Sequence, residues 1–188
     1  MLAFQNGDAD AFVKLFAKYQ NPIYAFLARQ CKNPETAADL TQDVFAKIIK
    51  TATSFQYQSK FSTWLYTIAR NAAVDNSRKA KHRRHPSLDQ SSEKGGTPLG
   101  ERIPGKEPDP HRSTTSNRLR ADLAKAIENL PDNQREVFLL REYHAIPFGE
   151  ISTITGAKTG TVKSRMRYAL ETLRQELQTY EEYARTLS

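Results

Sequence analysis

The feature that most limits what this chain can fold into is a stretch between Pro86 and Ser116. It holds five of the nine prolines (Pro86, Pro98, Pro104, Pro108, Pro110) and four of the eight glycines (Gly95, Gly96, Gly100, Gly105). Its large aliphatic residues are Leu88, Leu99 and Ile103 alone. So little apolar surface cannot offset the entropy of ordering the segment, so it reads as a long linker. A hydrophobic share of 38% over 188 residues is also low for one large core. The expectation is two small units, residues 1–85 and 117–188, joined by a linker over residues 86–116.

Before the linker the apolar residues recur every three or four positions, the period of a helix with one buried stripe. Phe12, Leu15, Phe16, Tyr19, Ile23, Phe26 and Leu27 form the first such stripe, with Pro22 either kinking one helix or opening a second. Asn33-Pro34-Glu35 reads as a helix start: an Asn cap, Pro at the first helical position and an acid in the first turn. That helix should bury Ala37, Leu40, Val44, Phe45, Ile48 and Ile49. Residues 51–60 read as a loop. From Ser62 a third helix carries Trp64, Leu65, Ile68, Ala69 and Ala72 towards Lys79.

After the linker, Leu119, Leu123, Ala126, Ile127 and Leu130 mark a helix ended by Pro131. A second runs over about residues 132–143 with Asp132 as its cap and Val137, Phe138 and Leu140 inward. Pro147 opens a short third helix through Ile151 and Ile154, Gly156 makes a turn, and a longer helix carries Val162, Met166, Ala169, Leu170, Leu173 and Leu177. No segment alternates as a strand does. The fold class is all-α: two small helical domains joined by a flexible linker.

Lys and Arg outnumber Asp and Glu by 28 to 21, a net charge of +7 that favours a polyanionic partner, nucleic acid before membrane. The lone Cys31 excludes an intrachain disulfide and has no second cysteine to make a metal knuckle, so it reads as a structural thiol, buried at least in part. There is no basic-then-apolar leader, and no apolar run approaches the ~18 residues of a membrane span, so a cytoplasmic protein without membrane insertion is expected. His82, His85, His111 and His144 lack the His-Glu-x-x-His spacing, and neither a phosphate-binding glycine loop nor a nucleophile motif occurs. No enzyme, catalytic residue, metal or cofactor is expected.

The short helix, the turn at Thr155-Gly156-Ala157 and the following helix match a helix-turn-helix, whose second helix enters the major groove. Its first turns hold Lys158, Thr159, Gly160, Thr161, Lys163, Ser164, Arg165 and Arg167. Hydroxyls and amides at a helix start bind phosphate, and Lys and Arg reach phosphates or guanine edges. Gly160 lets the backbone approach DNA closely. A solvated basic face is the bland alternative, but here the charges crowd the start of the helix opposite a clean apolar stripe.

The N-terminal unit mixes aromatic and basic residues over Phe61 to Lys79, with Phe55 and Tyr57 in the preceding loop. That is the composition of a surface that stacks unpaired bases. Spacing puts Trp64, Leu65 and Ile68 in the core, leaving Tyr57, Tyr66, Arg70, Asn71 and Arg78 as the exposed candidates. Arg78-Lys79-Ala-Lys81-His-Arg83-Arg84 adds five positive charges and no acid, suited to phosphate.

Three blocks in order carry a resemblance: Ala37-Ala-Asp39-Leu40-Thr-Gln42-Asp43-Val-Phe45, then Phe61 to Arg84, then Leu130-Pro131-Asp-Asn-Gln134-Arg135-Glu136-Val137-Phe138 with Gly160-Thr161-Val162-Lys163-Ser164-Arg165. Together they resemble the bacterial RNA polymerase sigma factors of the extracytoplasmic-function group, in the sigma-70 family. The resemblance implies a specificity subunit that binds core RNA polymerase and directs promoter recognition, strand opening and initiation. It implies that Asp39, Leu40, Gln42, Asp43 and Phe45 dock on the β′ clamp helices, with a further contact to the β flap. It also implies that Phe55, Tyr57, Lys60, Phe61, Trp64, Arg70, Asn71, Arg78, Lys79, Arg83 and Arg84 hold the single-stranded −10 element, while the last helix reads the −35 duplex. An anti-sigma protein is a further possible partner. Two departures stand out: Gly149 in Phe148-Gly149-Glu150-Ile151-Ser152, where the family more often has two acids and an Ala, and Tyr168, where it commonly has an Arg. The alternative is a stand-alone helix-turn-helix regulator that binds an operator without polymerase.

Overall fold

The computed structural model describes residues 1–56, 59–83 and 110–180, and among these the side chains of 81–83 and 110–116 are not described. Every regular element in them is helical. A short helix α1 (Leu2–Gln5) leads into α2 (Ala9–Cys31), α3 (Pro34–Lys50) and α4 (Phe61–Arg83). The second unit holds α5 (Pro110–Asn129), α6 (Asp132–Phe138), α7 (Phe148–Thr155) and α8 (Thr159–Glu176).

Local chemistry sets the boundaries. Asp8 caps α2 by accepting the Ala11 amide at 3.1 Å, and Asn33 caps α3 by accepting that of Thr36 at 2.9 Å. Pro22 lies inside an uninterrupted α2, so it neither breaks nor restarts the helix. Asp132 is not a cap. Pro131 holds that position, and Asp132 in the first turn accepts instead from Arg135. The helix predicted from 132 to 143 is α only as far as Phe138 and continues as a π-turn over Leu139–Tyr143. Helix α5 starts at Pro110, within the stretch read as linker; proline at a first helical position fits the helix, since its missing amide hydrogen is not needed there.

In the first unit α2, α3 and α4 pack around Ile23, Phe26, Leu27, Val44, Phe45, Ile48, Leu65 and Ile68. A chain of rings (Phe4, Phe12, Phe16, Phe45) extends this core towards the N-terminus. Gln5 of α1 donates to the carbonyls of Ala52 and Phe55 at 2.7 and 2.8 Å, tying down the loop after α3. In the second unit α8 lies across α5, α6 and α7 and buries Val162, Met166, Ala169 and Leu173. Four residues expected on the apolar stripes, Phe16, Ile49, Leu119 and Leu170, are exposed, each at the edge of its helix's buried face.

Candidate nucleic-acid interface

Helices α7 and α8 form the helix-turn-helix, and the turn between them is held from several sides. Gly156 takes a left-handed φ of 70°, which glycine adopts without strain, and its amide donates to the Ser152 carbonyl at 2.9 Å. The Ser152 hydroxyl donates to the Ala157 carbonyl at 2.6 Å, and that of Thr155 to the Ile151 carbonyl at 2.8 Å. With Ile151, Ile154, Val162 and Met166 buried beneath, the angle between the helices is fixed by packing.

The opposite side of α8 is open. Lys158, Thr159, Gly160, Thr161, Lys163, Ser164 and Arg167 are exposed and Arg165 is half-buried. Lys158 occupies the cap position without a side-chain bond to the first turn, so the first-turn amides have no side-chain cap. This leaves a helix start with donors and positive dipole directed outward. Nothing lies within 4 Å of where a side chain at Gly160 would begin, so the fold itself does not require glycine there. The Arg167 guanidinium lies 5.0 Å from the centre of the Tyr168 ring and donates to its hydroxyl at 3.3 Å. Tyr168 is 52% exposed and extends the same face.

The candidates of the first unit divide between two sides of α4. Asn71, Arg78 and Lys79 point to solvent, one helical face apart from Arg70. Lys60 and Arg70 are engaged by the second unit: Lys60 Nζ meets Glu150 Oε1 at 2.7 Å and Arg70 Nε donates to Glu136 Oε1 at 2.8 Å. Phe61 and Trp64 are half-buried against one another and against Phe55. Phe55 itself is buried, so as placed it supports the loop from below and offers no ring to a base. Tyr66, expected on the surface, is also buried. It packs edge-on to Phe26 and 4.9 Å from the His144 ring, and burial raises its phenol well above the ordinary range, with Tyr19 adding to the effect. Tyr57 and Arg84 lie outside the described residues, as does the Arg83 side chain.

On α3, Asp39, Gln42 and Asp43 form an exposed acidic face at i, i+3 and i+4, and Leu40 is half-buried at its margin. Phe45 faces the other way, buried 4.8 Å from the Phe16 ring, because aromatic burial outweighs any surface role for so large an apolar group. Cys31 is half-buried and free; burial raises its thiol above the ordinary value, against a smaller opposing pull from Arg135.

Several residues that shape this surface gave no sequence signal of the partners they meet. Arg135 is 1% exposed and its guanidinium donates to Asp132 at 2.5 Å and to the Leu130 carbonyl at 2.8 Å, locking the start of α6. Glu136 of α6 and Glu150 of α7 meet the basic residues Arg70 and Lys60 of the first unit, and only the tertiary packing reveals that. No helix among the described residues is long and apolar enough to cross a membrane.

A tight helix-turn-helix with an exposed basic second helix, beside a helical unit rich in aromatic and basic residues, defines a DNA-binding protein of two helical units. Comparison with known proteins narrows the class. Residues 15–83 match the family model for sigma-70 region 2, and residues 120–173 that for sigma-70 region 4. The chain is 32% identical to the RNA polymerase sigma-H factor of Pseudomonas aeruginosa, over 93% of this chain and 90% of that protein. It is 32% identical to the ECF RNA polymerase sigma factor SigW of Bacillus subtilis, covering 92% of each. Among solved structures, the fold is similar to that of the sigma factor RpoE in complex with the anti-sigma factor NepR from Bartonella quintana. There the TM-score is 0.69 at 24% identity, over 90% of this chain and 98% of that one. The chain belongs to the sigma-70 family of RNA polymerase sigma factors, in its extracytoplasmic-function (ECF) group. It is a transcription-initiation factor, not an enzyme.

Proposed function

We propose that this factor divides its work between three surfaces and acts in the cytoplasm, where polymerase and promoter are found. Residues 1–85 form the unit for core polymerase and the −10 element, and residues 117–188 the unit for the −35 element. The observation that carries this reading is the open start of α8, with uncapped amides and Lys158, Lys163, Arg165 and Arg167 on one side of a rigid turn. Placed in a major groove, the amides and hydroxyls meet phosphates while Arg165 and Lys163 reach base edges.

The acidic face of α3 (Asp39, Gln42, Asp43, with Leu40 at its margin) docks on the β′ clamp helices of core polymerase, and the second unit meets the β flap. Phe45 supports that face from inside. On α4, Asn71, Arg78 and Lys79 track the −10 strand together with Arg70, and Lys60 adds to them from the loop before the helix. Bases that leave the stack are held near Phe61 and Trp64. Removing a base from the stack costs a few kcal/mol, so a pocket that compensates only the right base filters sequence during melting. The complexes of RpoE with NepR and of CnrH with the cytosolic domain of CnrY support an anti-sigma protein as a further partner.

Transcription with purified core polymerase tests the reading. The chain should give initiation from otherwise inert core, and Arg165→Ala should weaken promoter occupancy. Promoter binding without initiation would instead make the protein a stand-alone regulator.

A further inference from the structure

Beyond its first two turns, the exposed face of α8 carries a contact that the fold itself does not need. With 3.6 residues per turn, Gly160, Ser164 and Glu171 fall along one line of the helix, opposite the buried Val162, Met166, Ala169 and Leu173. Arg167 and Tyr168 stand on either side of that line, and both are exposed. On the line, Gly160 has no side chain, and the Ser164 hydroxyl is turned back to donate to the Gly160 carbonyl at 3.0 Å. Side-chain donors for the middle of this face therefore come from its flanks.

Adjacent residues of a helix do not face one another, so Arg167 reaches Tyr168 only by leaning across this line. The guanidinium is held at two points. Its carbon lies 5.0 Å from the centre of the Tyr168 ring, and Nη2 donates to the phenol oxygen at 3.3 Å. Glu171, one turn further on, is the ordinary helical partner for such a cation, yet no ion pair joins the two. The choice matters to a polyanion. A carboxylate would cancel the charge of Arg167, whereas the ring attracts the cation and leaves its charge whole. The bond to Tyr168 also leaves guanidinium N–H groups for a second contact. Tyr168 is 52% exposed, so burial does not account for its place here.

We propose that Tyr168 is the positioning residue for Arg167, and that the pair adds one guanine to what α8 reads. This rests on the assignment of α8 to the −35 duplex. The held guanidinium presents a pair of parallel N–H groups to the major groove, where guanine alone offers two neighbouring acceptors, N7 and O6. An unheld arginine gives up its rotamer freedom on binding. One already held by a ring and a hydroxyl has given up much of it beforehand. Tyr168 thus raises affinity and sharpens base choice through Arg167, without touching the base.

The test assembles the full chain with core RNA polymerase and selects bound duplexes from a pool randomised over about ten base pairs, one turn of DNA. The parent should enrich a motif with a guanine whose preference is lost in Arg167→Ala and weakened in Tyr168→Ala. On the enriched duplex Tyr168→Ala should bind about fivefold more weakly, and Tyr168→Phe, which keeps the ring, within about twofold of the parent. Because Tyr168 acts through Arg167, adding Tyr168→Ala to Arg167→Ala should cost nothing further. Both side chains are exposed, so every variant should melt with the parent. An equal loss from Tyr168→Ala with and without Arg167 overturns the positioning role, as does a guanine preference untouched by Tyr168→Ala. Arg167→Ala that lowers the salt slope by about one while keeping the base preference makes Arg167 a phosphate contact and overturns the guanine assignment. A parent that enriches no motif sinks the −35 reading of α8 itself, and the proposal with it.

Discussion

Acidification should loosen the contact between the two units through His144. In the structure burial, and after it the nearby Arg29 charge, lower its pKa from the ordinary 6.5 to about 4, and among the described residues its Nε2 has no hydrogen-bond partner. The neutral ring is packed against Phe26 and Tyr66, with Arg29 and Tyr143 at its side. A base whose pKa is depressed in the folded state binds fewer protons there than when exposed. The contribution is therefore complete above pH 6.5 and is lost as the pH falls from 6.5 towards 4. The full loss is about 3 kcal/mol, and between pH 7.5 and 5.5 it is about 1.3 kcal/mol. For a chain of this size the latter lowers the melting temperature by roughly 4 °C. Glu150 stays ionised over this interval, since its carboxyl lies below the ordinary range. The assay is urea unfolding at the two pH values and constant ionic strength, for the parent and for His144→Phe. Phenylalanine keeps the aromatic packing, removes the titration, and can place its extra volume towards solvent because residue 144 is only partly buried. The parent should lose about 1.3 kcal/mol more than the variant. Equal losses would refute the desolvation argument.

Gly160→Ala should stabilise the protein by up to about 1 kcal/mol in thermal unfolding, since glycine weakens a helix and open space surrounds this one. The same change should weaken −35 duplex binding by holding the backbone away from the phosphates. Asp43→Lys should leave stability within about 0.5 kcal/mol and reduce co-purification with core polymerase, whereas Phe45→Ala should cost about 3–5 kcal/mol by emptying the ring cluster around Phe12 and Phe16. Denaturant midpoints beside pull-down yields separate the two. Neutralising Arg78, Lys79, Arg83 and Arg84 together should reduce the salt dependence of single-strand binding by about three in the log–log slope. An unchanged slope removes them from the phosphate contacts.

The sequence by itself determined every feature that depends on neighbours along the chain. Helical periodicity placed the long helices, Asn33-Pro34 placed a boundary, and Gly156 between two apolar stripes placed the helix-turn-helix, because these signals are local properties of backbone and cap. The basic start of α8 and the acidic face of α3 were legible for the same reason: residues three and four apart share a face. Tyr66 and Phe55 were misplaced as surface candidates because an aromatic residue carries no mark of which side meets a partner, whereas Phe45, which the helical period put on the buried stripe, lies in the core. Only the tertiary structure decided that Tyr66 meets Phe26 and His144, that Phe55 closes over Phe61, and that Glu150 reaches Lys60 across 90 positions of chain. The composition of residues 86–116 pointed to a division between two units, but it carried no information on whether they touch. That contact depends on the match of two surfaces distant in sequence, a property of the folded chain alone.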